Sequence, residues 1–280
     1  MKKLLSLVLL TAFFVGNAQE TANRFFYELT FKPKKEAETT EKVMTVLDIT
    51  KDKSIYRDYT ILAQDSILKV QVEAMQKSGV YKDLSKSITQ PKFAFKVRKS
   101  YPSMKYTYSE TISSGFTPIE IGYSDDAKIV WKIDASAKQN IGAYKTQKAT
   151  ADFGGRQWTA WFTNDIPLQD GPYKFSGLPG LIVKVEDSKG DYAFDLKETK
   201  NIAGLASFSQ GGNMVKVKRD VFYQQQEKYR KDPTSFSPPR ATGSGNRGAM
   251  RAQANPNQRK EFEQRMKDEL KKNNNPIELK

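Results

Sequence analysis

The chain has 280 residues and contains neither cysteine nor histidine. Without histidine there is no Ser-His-Asp triad, no imidazole general base and no histidine-ligated metal. Without cysteine there is no disulfide, thiolate nucleophile, zinc finger or iron–sulfur site. Chemistry is left to carboxylates, lysine, arginine, tyrosine and hydroxyls. Acidic charge is also scarce: 32 acidic residues face 46 basic ones, for a formal net charge of +14. The hydrophobic fraction is 38% and the mean hydropathy -0.66. That suffices for a core only if part of the chain lies outside it.

The longest apolar run is at the start. Met1-Lys2-Lys3 is basic, Leu4 to Val15 is almost wholly apolar, and Gly16-Asn17-Ala18 is small. This is the layout of a secretory signal peptide cleaved after Ala18. The run is too short to span about 30 Å of hydrocarbon, and no transmembrane span is expected in the mature chain. The expected location is therefore the periplasm, the outer-membrane surface or the exterior. With no disulfides to help, stability has to come from side-chain burial.

Positive charge is denser near the end, where residues 233–280 carry ten basic and five acidic side chains. A basic surface attracts nucleic acid, lipid phosphates or acidic glycans. The plainer reading is a solvated surface that keeps the protein soluble, and an export signal disfavours nucleic acid.

Several segments alternate apolar and polar residues. Phe25, Tyr27, Leu29 and Phe31 share one face, as do Phe93, Phe95 and Val97, Ile129, Trp131 and Ile133, and Tyr192, Phe194 and Leu196. Period two with one wet face marks antiparallel strands. Further strands are expected at 43–49, 105–109, 117–122, 156–162 and 181–186. Residues 58–78 fit either period: Leu68, Val70 and Val72 alternate, whereas Ile61, Leu68, Val72 and Met75 form a helical stripe that Gly79 would close. Composition favours the helix. A second helix is expected over 216–230, stopped by Asp232-Pro233.

The organisation predicted is a signal peptide over 1–18, a β domain over 19–232, a Pro/Gly/Ser/Asn-rich disordered linker over 233–258, and a last segment over 259–280. In that last segment Phe262, Met266 and Leu270 recur as a narrow helical stripe. The linker has too little apolar surface to offset the entropy of ordering.

The densest stretch is Ile141 to Leu196. At its centre stand Gly177-Leu178-Pro179-Gly180-Leu181-Ile182. Before them come Gly142 to Ala149, then Arg156, Trp158, Ala160 and Trp161, then Ile166, Pro167, Gly171, Pro172, Lys174 and Phe175; Asp187 follows. On these residues the chain resembles the GLPGLI family of exported Bacteroidota proteins, and its ending Asn274-Asn275-Pro276-Ile277-Glu278-Leu279 looks like that family's C-terminus. Thr146 stands where many members carry Cys, and Gly154 where many carry Arg, so no role of that thiol or that guanidinium operates here. The resemblance implies a secreted all-β protein and brings no established biochemical function. A more distant similarity is to the bowl-like N-terminal domain of flavobacterial peptide-N-glycosidases. It implies a mainly β fold: a curved, largely antiparallel sheet, or open bowl or half-barrel, with two or three peripheral helices and glycan contact at its concave face.

Leu178-Pro179-Gly180-Leu181 reads as a type II turn, with proline setting φ and Gly180 supplying a positive φ. Together with Gly171-Pro172 and Gly177 it reverses the chain twice before Leu181-Ile182 re-enters the sheet. On the strand from Arg156, Trp158 and Trp161 face opposite ways. Each serves either as core or as a stacking platform for sugar or peptide. Arg156 and Asp187 form either an ion pair or, with Lys174, a polar ligand site. The ligand-contacting candidates are thus Arg156, Trp158, Trp161, Lys174 and Asp187.

No catalytic residue, cofactor or metal ligand stands out. Asp125-Asp126, Asp165, Asp170 and Glu186-Asp187 have no spacing that forces two into one geometry. No loop carries an alternating oxygen-ligand or phosphate-cradling pattern. Three function classes remain. The favoured one is a periplasmic or envelope-associated binding or accessory module for a peptide, glycan or lipid-like ligand. The others are a carboxylate- or Lys/Arg-based envelope enzyme, and an assembly partner of another envelope protein using the basic tail and last helix.

Overall fold

A computed structural model describes residues 21–81, 89–114, 117–203, 214–233 and, near the end, 260, 261, 264, 267, 268 and 270–279. The signal segment, nearly all of the linker, Phe262 and Met266 lie outside the described residues.

The period-two segments become strands: β1 (Thr21–Phe31), β2 (Glu41–Ile49), β3 (Lys53–Asp58), β4 (Phe95–Ser100), β5 (Lys105–Ser114), β6 (Thr117–Asp125), β7 (Lys132–Ile141), β8 (Tyr144–Phe153), β9 (Arg156–Thr163), β10 (Leu181–Asp187), β11 (Tyr192–Ala203) and β12 (Val215–Lys216). The helices are α1 (Tyr59–Ser78) and α2 (Arg219–Lys231), and the described residues between 260 and 272 are also helical. All strands form one open, curved sheet in the order β12-β6-β5-β4-β3-β2-β1-β11-β10-β9-β8-β7. Neighbours are antiparallel except β12 beside β6. β1 joins two meanders, pairing with β2 on one side and with β11 on the other.

Register explains the core. Phe25, Leu47, Tyr56, Val97, Tyr108 and Tyr123 are successive cross-strand partners on one face. Leu29, Phe194, Val185, Ala160 and Ala149 make the corresponding row in the other meander. All of these are buried. Direct cross-strand pairs put their side chains side by side, so each row is a continuous apolar band across this inner face.

The segment 164–180, between β9 and β10, folds onto that face as a plug. Phe175 is fully buried there, with its ring 4.6 Å from Trp158 and 5.8 Å from Phe194 between centroids. α2 covers the other half of the inner face with Phe222, 5.5 Å from Tyr108. It starts three residues later than the sequence pattern suggests, because β12 takes Val215 and Lys216, and it ends before Asp232-Pro233 as expected.

Residues 59–78 are helical. Asp58 accepts from the Thr60 amide at 2.7 Å, and Gly79 closes the helix at φ 67°. The helical stripe buries little: Ile61, Leu68 and Met75 are half-buried and Val72 is exposed, while Leu62, outside the stripe, is buried.

Two expectations are corrected. The alternation of Ile129, Trp131 and Ile133 does not form a buried strand face. Strand pairing starts only at Lys132, Ile133 is 46% exposed on the sheet's last strand, and Trp131 turns instead to donate to the Ser176 carbonyl at 2.9 Å. Gly180 does not supply a positive φ; in this segment Gly177 does, at 91°. What requires glycine at 180 is space: a Cβ there would stand 2.0 Å from the Thr163 carbonyl oxygen. Gly180→Ala is expected to destabilise by about 1–3 kcal/mol, the range for forcing atoms into a filled interior. An unchanged melting temperature would remove the close-approach explanation.

Candidate functional site

Three polar centres lie beneath or beside the plug. In the first, Arg156 opens β9 and is buried. Its Nη1 donates to Asp187 at 2.7 Å and Asp191 at 2.8 Å. Its Nη2 donates to the Asn275 side chain at 2.7 Å and the Pro276 carbonyl at 2.9 Å, and its Nε to the Ile277 carbonyl at 2.9 Å. The five donors of the guanidinium thus meet five acceptors. The Asp187 carboxylate also takes the Asp191 and Tyr192 amides at 2.7 and 2.9 Å. Partial burial would raise the Asp191 carboxyl pKa, but hydrogen bonds from Arg156 and Asn275 hold it below the ordinary value.

In the second, Lys99 and Asp170 form an ion pair in which both side chains are essentially without solvent contact. Lys99 Nζ also donates to the carbonyls of Gly171 at 2.9 Å and Phe175 at 3.1 Å. Asp170 accepts from Ser54 at 2.6 Å, from the Tyr101 hydroxyl, and from the Gly171 amide at 2.7 Å. Burial lowers the Lys99 pKa, opposed by Asp170.

In the third, Lys174 points from the plug into a cage of tyrosine rings. Its ammonium lies 4.5 Å from the Tyr108 centroid, 5.1 Å from Tyr173 and 5.4 Å from both Tyr106 and Tyr123. It donates to the Tyr123 hydroxyl at 2.8 Å and pairs with Glu278. Cation–π attraction strengthens when the cation is desolvated, as here. Burial lowers the lysine pKa, and Glu278 works against that. Burial raises the Tyr108, Tyr123 and Tyr173 hydroxyl pKa values, which keeps the rings neutral.

The five sequence candidates are therefore not one cluster. Arg156 and Asp187 meet. Trp158 shares their face, fully buried, with its indole N–H on the Phe153 carbonyl at 2.9 Å. Lys174 belongs to the tyrosine cage. Trp161 lies on the opposite, outer face and is half-buried. Its cross-strand partners there are Lys148 on β8 and Lys184 on β10. Next to those stand Asp134 and Asp195. Trp161 is thus an indole between two lysines, and of the five candidates it keeps surface toward solvent.

Sequence reasoning missed Lys99, Glu110 and Glu278. Glu110 lies beneath α2, where burial raises its carboxyl pKa against a hydrogen bond from Gln226. The signal for Lys99 and Glu110 was present, since each continues the inward row of its strand: Phe95, Val97, Lys99 and Tyr106, Tyr108, Glu110. A charge at an inward position needs a partner. Glu278 is distant in sequence from everything it touches and gave no such signal.

A cleft of about 590 Å³ opens between residues 152–157 and 187–189. Among the described residues no group of three or more carboxylates could hold a metal ion. Nor is any described helix long and apolar enough to cross a membrane.

The plug and its flanking strands are what the comparison with protein families finds. A family model described as a protein of unknown function (Porph_ging) matches residues 153–184, from the end of β8 through β9 and the plug into β10. Two structures of PNGF-II, in C2 and P21 space groups, superpose with TM-scores of 0.52 and 0.51 at 15% and 16% identity. This chain is similar in fold to PNGF-II. Each match covers 75% of this chain but only 33% and 34% of the PNGF-II chain, so the likeness spans about a third of that protein. No curated protein matches.

Proposed function

We propose that the protein is an exported binding or accessory module of the GLPGLI type, acting in the periplasm or at the outer membrane, and that it holds a glycan-bearing ligand on its outer sheet face. The observation that carries this reading is Trp161. The inner face is filled by the chain's own plug, α2 and C-terminal segment, and its charged groups are spent on one another. The outer face keeps an indole flanked by Lys148 and by Lys184, which pairs with Glu186 at 2.9 Å near the surface. An indole stacks on the apolar face of a pyranose, while ammonium groups at its sides take hydroxyl or carboxylate oxygens. The fold likeness to PNGF-II, a peptide-N-glycosidase, supports a glycan-related ligand, and the basic balance of the chain suits an acidic one.

Titration calorimetry with bacterial envelope polysaccharides and glycopeptides tests it. The parent protein is expected to bind at least one of them. Trp161→Ala is expected to lose about 2 kcal/mol, close to 30-fold, as removal of a central aromatic contact does, while keeping its β-sheet circular dichroism. If the parent takes none of these ligands, the glycan reading is lost.

A further inference from the structure

The last described residues of the chain lie in a groove built from six parts of the fold: the loop after β1, the β8–β9 turn, β9, the plug, β11 and α2. Asn274 accepts from the Lys35 amide at 3.0 Å. The Asn275 amide donates to the Pro33 carbonyl at 3.2 Å, its side chain donates to the Lys32 carbonyl at 3.1 Å, and its own carbonyl takes the Tyr192 hydroxyl. Arg156 reads the next two carbonyls. Ile277 is buried in the core. Glu278 meets Lys174 and the Tyr173 hydroxyl, with Tyr223 at 3.4 Å and Arg219 at 3.8 Å. The Leu279 amide closes on the Gly154 carbonyl at 2.6 Å. Gly154 and Gly155, at φ 58° and 73°, leave the room: a Cβ on either would stand 2.6 Å from Glu278 or Leu279.

This is how a protein recognises a peptide. The backbone carbonyls of residues 275, 276 and 277 are read by the fixed donors Tyr192 and Arg156, which gives affinity independent of side chain. Asn275, Ile277 and Glu278 each meet different surroundings: Arg156 and the Lys32 carbonyl, the apolar core, and Lys174 with Tyr173, which gives selectivity. None of the groove's elements is close to the segment in sequence. The nearest, α2, ends at Lys231, and residues 234–259 between them are rich in Pro, Gly, Ser and Asn.

We propose that this groove is a peptide-docking site whose tethered, exchangeable occupant is the C-terminal segment, and that it accepts in trans a peptide of the same chemistry, bent as residues 277 and 278 are here: Asn, Pro, an apolar residue, then an acid. A tether supplies an effective concentration in the millimolar range. A modest intrinsic affinity therefore keeps the groove filled, and a free peptide of that chemistry at higher effective concentration displaces the tail. This site does not involve Trp161 or a glycan, so it stands or falls separately from the outer-face reading.

The test uses the full chain with a protease site inserted after Gly245, cut only after folding. The cut C-terminal piece is expected to stay bound and to exchange reversibly with a fluorescent peptide of residues 260–280, followed by anisotropy. The unlabelled hexapeptide Asn-Asn-Pro-Ile-Glu-Leu is expected to compete and its scramble not to. Asn275→Ala and Glu278→Gln in the labelled peptide are each expected to weaken binding at least about tenfold, the cost of losing a charge-assisted or buried hydrogen bond. Three results would overturn the proposal. They are a cut piece that never exchanges, binding indifferent to both substitutions and to scrambling, and a body whose circular dichroism collapses when the piece leaves.

Discussion

Lys99→Met is expected to cost about 3–5 kcal/mol, because removing one member of a buried ion pair strands the other. At this chain length that is a fall in melting temperature of roughly 6–20 °C. Methionine fills most of the volume but leaves Asp170 and the carbonyls of Gly171 and Phe175 without the ammonium that joins them. Since Gly171 and Phe175 belong to the plug, the loss is expected to appear first as faster hydrogen exchange over 170–182. The double variant Lys99→Met/Asp170→Asn separates charge from shape. Asparagine still accepts from Ser54 and Tyr101, and no buried charge remains. It is expected to melt above Lys99→Met, with a coupling of about 1–3 kcal/mol between the two sites. Strictly additive effects, or a single variant within 1 °C or so of the parent, would mean that the ion pair does not anchor the plug.

Arg156→Ala is expected to have an effect of the same size, about 3–5 kcal/mol, for the same reason at Asp187. Its particular signature lies at the other end of the chain. Three of the five Arg156 contacts go to residues 275–277, so the variant is expected to lose exchange protection over 274–279. Arg156→Lys sharpens the point. Lysine keeps a charge for Asp187 and Asp191, but a compact ammonium cannot span acceptors that the planar fork reaches together. Arg156→Lys is therefore expected to recover part of the stability and little of the C-terminal protection. Full protection in Arg156→Lys, with a parent-like melting temperature, would show that charge alone suffices.

The sequence carried the strands plainly where one face is wet. Phe25, Tyr27, Leu29 and Phe31 alternate because β1 lies against the core on one side only, and all four are buried. The same rule misled at Ile133, where the alternation continued into a strand with a neighbour on one side only. Residues 58–78 stayed ambiguous because α1 buries so little that its apolar positions have no sharp period. Arg156 and Asp187 were legible as a pair because β9 and β10 flank the motif that names the resemblance. Lys99 with Asp170, and Lys174 with Glu278, were not, since their contacts cross 71 and 104 residues. Only the inward parity of Lys99 hinted that a buried charge awaited a partner. Gly180 shows a different limit: its identity was informative, but sequence alone does not distinguish a glycine chosen for φ from one chosen for close approach.

The position of β1 sets the order in which the molecule can assemble. Its first residue pairs with Ala203, so one side of a central strand stays unsatisfied until nearly the whole β domain exists. β2 joins β3, β4 joins β5 and β6, and β7 joins β8 and β9 through local hairpins, whereas β3 reaches β4 only across α1; the hairpins can form early. The closure of β1 on β11 and the seating of the plug come late, because the chain entropy of long loops must be lost before such contacts repay it. A partly synthesised chain therefore lacks the bond that joins its halves. Folding is expected to be slow, and to wait on the segment around β11 however early the first strand emerges.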